Sequence, residues 1–173
     1  MIYLLFEKAD DGDLKAAALR ARNKLFELFS IDESDAAKTD LGKPYLKSGK
    51  AGFSISHSGE LALCALRCDT EIYGIDDSVT VIFENGSGVE IGCDIEEFDP
   101  NFSSEKAMRL SQRFLGEATD SPEEFYRLWT RGEAYGKYTG KGVADAKNIP
   151  SDATLYSFEI DINNKKYFVS ICT

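Results

Sequence analysis

Asp94 and Glu96 stand two residues apart in the run Val89-Glu90-Ile91-Gly92-Cys93-Asp94-Ile95-Glu96, and further on Glu133 and Lys137 stand four apart. Side chains along a strand alternate between faces, so Val89, Ile91, Cys93 and Ile95 are expected to point into a core. Glu90, Asp94 and Glu96 then point the other way, and Gly92 leaves that side open to something bulky. Two carboxylates on one face of a strand with a buried back make a rigid acidic ledge, which either faces water or binds a hard cation. Residues four apart on a helix are neighbours, so Glu133 and Lys137 form a surface ion pair or one edge of a larger constellation. His57 is the only histidine. Beside Ser56 on a strand it points to the opposite face, so the two cannot act as nucleophile and base, and a hydrolase reading fails.

The composition narrows the class of partner. The 173 residues suffice for one good-sized domain or two small lobes. A net charge of −10 argues against a nucleic-acid protein, which needs surplus Lys and Arg. No apolar run approaches the roughly 18 residues of a membrane span, and the apolar start Met1 to Glu7 lacks the flanks of a leader. Cys64, Cys68, Cys93 and Cys172 are scattered among apolar residues without a C-x-x-C pair, as in a reduced, cytosolic protein.

The elements that must position these residues follow from pattern. A first strand precedes the turn Asp10 to Asp13, after which Leu14, Ala18, Ala21, Leu25, Leu28 and Phe29 recur at helical spacing. Ile31 to Asp40 reads as a loop, and Leu41-Gly42-Lys43-Pro44-Tyr45-Leu46 as an extended segment. Phe53 to His57 and Leu61 to Leu66 form a hairpin turned by Ser58-Gly59. Residues 69–88 read as an inserted hairpin or linker, dispensable for folding, with Asp76, Asp77 and Glu84 facing solvent or a partner. A helix is expected over Ser104 to Leu115. A second begins at Ser121-Pro122-Glu123-Glu124, which has a cap, a proline at the first position and a capping box, and it ends before Gly140. Its buried stripe is Phe125, Leu128, Trp129, Gly132 and Gly136, with Glu133 and Lys137 at the edge and Tyr126 and Thr130 alongside. A last hairpin turns at Asn163-Asn164. The fold class is α+β: two similar lobes, each a small antiparallel sheet packed by a helix, over 1–68 and 89–173.

Four segments occur in order: Gly42-Lys43-Pro44, Phe53 to Ser58, Ile91 to Glu96, and Leu128-Trp129-Thr130-Arg131-Gly132-Glu133-Ala134-Tyr135-Gly136-Lys137. With the tail Gly140-Lys141-Gly142-Val143, the set resembles the signature of the 4′-phosphopantetheinyl transferases, in particular the larger, pseudo-dimeric type. The resemblance covers roughly residues 41–66 and 89–143. It implies an enzyme that moves the phosphopantetheine arm of coenzyme A to a serine of an acyl or peptidyl carrier protein and releases 3′,5′-ADP. Carried over position by position, it makes Asp94, Glu96 and Glu133 the ligands of Mg²⁺, with Mn²⁺ as an alternative. Asp94, Glu133 and Lys137 are then the catalytic set, and Lys137 also holds the diphosphate. Lys43, Pro44, Ser56 and His57 are assigned to the nucleotide end of coenzyme A, in a cleft between the lobes. Independently of the resemblance, charge, apolar-run length and cysteine usage give the expectation of a cytoplasmic protein that engages neither nucleic acid nor membrane, and a monomer is expected.

The chain departs from this pattern at Gly132, where family members of this type usually carry lysine, and in the long stretch from Arg67 to Gly88. Lys15, Arg20 and Arg22 are only candidates for the 3′-phosphate. A relative that binds coenzyme A or a carrier protein with weak or lost catalysis is therefore the alternative, as is an Mg²⁺-binding scaffold protein.

Overall fold

A computed structural model describes residues 1–72, 75, 77–84, 86 and 88–173. The chain divides into two compact units, 1–91 with Thr173 and 92–172. The class is α+β, with antiparallel sheets and three α-helices among the described residues. None of those helices is long and apolar enough to cross a membrane.

In the first unit β1 (Ile2–Lys8) leads through a turn to α1 (Leu14–Leu28), whose N-cap Asp13 accepts from the Ala16 amide. β2 (Ala36–Lys38) and β3 (Pro44–Leu46) pair with each other. Part of the expected loop over 31–40 is thus a 3₁₀ turn and a short strand, because Ala36 and Ala37 find a partner in Leu46 and Tyr45. β4 (Ala51–Ser58) and β5 (Leu61–Cys68) are the expected hairpin. β6 (Val79–Ile82) completes a sheet in the order β4-β5-β1-β6.

β6 corrects the reading of 69–88 as an insertion separate from the sheet. It runs antiparallel to β1, with Ile82 opposite Ile2 and Val79 opposite Leu5. Val79 and Val81 pack on the core formed by Tyr3, Leu25, Phe26, Phe53 and Leu66, which gives the strand a reason to stay. Asp77 is exposed and Glu84 is buried in an ion pair with Arg67; Asp76 and Asn85 lie outside the described residues.

The second unit begins with β7 (Gly92–Glu97), followed by α2 (Ser104–Phe114) and α3 (Pro122–Thr139). Ser121 caps α3 through the Glu124 amide, Pro122 opens it, and Gly140 ends it at φ 77°, a conformation that costs other residues more. β8 (Leu155–Ile162) and β9 (Lys165–Cys172) turn at Asn163 and Asn164, both at positive φ. The sheet order is β7-β9-β8. One side of α3 packs on α2 through a cluster that includes Ala107, Leu115, Phe125 and Trp129. Another side lies on the sheet.

Candidate active site

The orientation of α3 on its sheet decides what Asp94 faces. In the β7–β9 pair Gly92, Asp94 and Glu96 stand opposite Cys172, Ser170 and Phe168. Tyr126 of α3 stacks on Phe168 at 5.8 Å, and Thr130 bonds Ser170 at 2.9 Å. A Cβ added to Gly92 would lie 2.1 Å from the Ala134 carbonyl oxygen and 2.4 Å from the Tyr138 nitrogen. The bulky neighbour that Gly92 admits is therefore the backbone of α3.

Two expectations change as a result. Asp94 does not stand on an open ledge; it is 3% exposed, beneath the helix. Glu90 is not part of the same strand, which begins at Gly92; its carboxylate meets the Lys43 ammonium instead. The stripe of α3 also needs correction. Phe125, Gly132 and Gly136 are buried, but the side facing the sheet carries Tyr126, Thr130, Glu133, Ala134 and Lys137. A helix packed on two sides has two buried stripes, so the acid and base taken as edge residues lie in the second.

On that second stripe Lys137 Nζ donates to Asp94 Oδ1 at 2.7 Å. Burial pushes the Glu133 carboxyl above the usual carboxylate range, and the nearby Asp94 charge pushes it further while Lys137 partly offsets them. For Lys137 burial acts downward, but Asp94, with smaller help from Cys93 and Glu133, leaves the ammonium raised above its ordinary value. Asp94, Glu133 and Lys137 are thus brought together. Glu96 stands two residues along β7, at the next position on the same face and therefore roughly 6.6 Å further along the strand. Among the described residues no three His, Cys, Asp or Glu side chains gather closely enough to hold a metal.

The remaining candidates lie in the first unit. Ser56 is buried and His57 exposed on successive positions of β4, in keeping with opposite faces. Lys43 is mostly buried and held by Glu90, whose backbone oxygen accepts from Arg67 Nη1 at 3.0 Å. Arg20 and Arg22 are engaged by Asp10 and Glu33, at 3.0 and 3.4 Å. Sequence reasoning missed Ser170 and Arg67. The signal for each was a polar residue inside or ending an otherwise apolar strand.

Residues 90–169 match the model of the 4′-phosphopantetheinyl transferase superfamily, and over that stretch the chain belongs to it. The chain is also 31% identical over 119 residues to the 4′-phosphopantetheinyl transferase HetI of Nostoc sp. (strain PCC 7120). That match covers 69% of this chain and 45% of the relative, so the chain spans about half the length of the protein it resembles.

Proposed function

We propose that this chain transfers the 4′-phosphopantetheine group of coenzyme A to a serine of an acyl or peptidyl carrier protein, with Mg²⁺ and release of 3′,5′-ADP. The observation that carries the reading is the meeting of Asp94, Glu133 and Lys137 within a stretch that matches this superfamily. The donor set fits a hard cation. Mg²⁺ is commonly held by one or two carboxylates, with waters and substrate phosphate completing its shell, and Asp94 and Glu133 are such a pair. Glu96 is the third ligand the resemblance assigns. Bound there, the cation would supply the positive charge that a diphosphate needs beside two carboxylates.

The chain's own residues divide the remaining work. Lys137 places its ammonium against the diphosphate, exchanging part of its contact with Asp94 for phosphate oxygen. The carrier serine oxygen forms a bond to the β-phosphorus, the bond from that phosphorus to the bridging oxygen of 3′,5′-ADP breaks, and Glu133 takes the serine proton. Lys43, Pro44, Ser56 and His57 are proposed for the nucleotide end of coenzyme A on the motif order alone.

The second reading, a coenzyme A or carrier-protein binding relative with weak catalysis, is favoured by Gly132. Its missing side chain would meet Ala146 Cβ at 2.8 Å, so the family's usual lysine has little room on this helix. The test is incubation with coenzyme A, Mg²⁺ and a panel of apo-carrier proteins, read by intact mass. A phosphopantetheine adduct lost with EDTA and in Asp94→Asn supports transfer. Coenzyme A binding with no adduct on any carrier selects the second reading, and absence of binding overturns both.

A further inference from the structure

Ser170 interrupts the buried run Tyr167 to Cys172 and is itself 0% exposed. Its Oγ lies 2.9 Å from Thr130 Oγ1 and 3.0 Å from Ser157 Oγ. Thr130, 1% exposed, also donates to the Arg127 carbonyl oxygen at 3.2 Å, back along its own helix. Each hydroxyl has one proton to give. Since that of Thr130 goes to Arg127, Ser170 donates to Thr130 and the exposed Ser157 donates to Ser170. The three hydroxyls form a chain with one direction, in a place where an unsatisfied hydroxyl is costly.

The position of this chain gives it a consequence for the site. Ser170 stands directly across β7–β9 from Asp94, and Thr130 precedes Glu133 by three residues. The tie therefore joins the helix that carries Glu133 and Lys137 to the strand position facing Asp94. The apolar contacts of α3 are non-directional, whereas a hydrogen bond fixes both distance and direction.

We propose that Thr130 and Ser170, braced by Ser157, are positioning residues that set the separation of the Asp94 and Glu133 carboxylates and through it the affinity for a divalent cation. The inference rests on the reading that these two carboxylates hold such a cation. Its test is Mn²⁺ titration followed by electron paramagnetic resonance, with coenzyme A present, alongside thermal unfolding of each variant. Thr130→Val and Ser170→Ala are expected to weaken Mn²⁺ binding about tenfold, at the low end of what partners of metal ligands contribute. Thr130→Ser, which keeps the hydroxyl, is expected to restore the parent affinity even where it lowers the melting temperature. If Thr130→Val fails to fold, the comparison of Ser170→Ala with Thr130→Ser carries the same contrast. Variants that melt earlier yet bind Mn²⁺ like the parent overturn the inference and leave the metal reading standing. A parent chain that binds no Mn²⁺ overturns both.

Discussion

Glu133 sits where burial and a neighbouring carboxylate disfavour its charge, and Lys137 offsets this only in part. Burial first, and Asp94 second, raise its carboxyl above the ordinary range, so the folded chain holds this proton more tightly than the unfolded chain does. The contribution to stability is then fully present below the unfolded value of about 4.3 and is lost as pH rises through the folded value. Glu133→Gln should flatten that part of the pH–stability curve, and urea melts of parent and variant across mildly acidic pH in EDTA will show it. Parallel curves would mean that another group titrates. Asp94 behaves differently, because its carboxylate neutralises Lys137 at 2.7 Å. Asp94→Ala would leave that ammonium in a partly buried place without the Asp94 counter-charge, so Asp94→Asn is the cleaner probe of cation binding. The alternation around Asp94 was readable from the sequence, but a polar face looks the same whether water or a helix covers it. Gly92 was the residue that distinguished the two.

The elements divide along a similar line. α3 was legible to the residue at both ends, because Ser121, Pro122 and Gly140 act locally. The last hairpin was equally legible, since Asn163 and Asn164 accept positive φ. β2, β6 and the face of α3 that meets the sheet were not, because each depends on partners distant in sequence. Gly132 shows what this means for a substitution. By sequence it stands where the family usually carries lysine, which reads either as a missing catalytic group or as a glycine that lets helices pack closely. In the fold a Cβ there would stand 2.8 Å from Ala146 Cβ and 3.2 Å from Leu115 Cδ2. Replacing a mid-helix glycine gains about 1 kcal/mol in helix propensity, while overpacking costs about 1–3 kcal/mol. Gly132→Lys is therefore expected to lower stability without raising turnover, as chemical denaturation and the carrier-mass assay would report. A faster, equally stable variant would restore the missing-lysine explanation. The same logic applies to β6, whose Val79 and Val81 pack on the first core. Deleting 69–88 should cost about 2 kcal/mol or more, or prevent folding, and a deletion with an unchanged melting curve would show that β1 does not need this neighbour.

At the scale of the whole molecule, charge sets the terms on which the proposed polyanionic substrate, coenzyme A, would arrive. The chain carries 20 Lys and Arg against 30 Asp and Glu, a net charge of −10. Coenzyme A brings a diphosphate and a further phosphate of the same sign. The two lysines proposed for it are already partnered, Lys43 by Glu90 and Lys137 by Asp94, which removes much of the local attraction. Long-range repulsion acts on encounter and is screened over about 8–10 Å at ordinary ionic strength, while short contacts formed after docking are screened much less. Salt should therefore speed the association of coenzyme A or leave it unchanged, the reverse of the steep fall seen where a basic surface gathers phosphates. Stopped-flow binding from low to moderate salt, at saturating Mg²⁺, measures this directly. Glu90→Gln should raise the low-salt rate, because it removes one negative charge and releases Lys43 from its ion pair. A rate that drops sharply with added salt in the parent chain would show that unpaired cations, not the net charge, govern the approach.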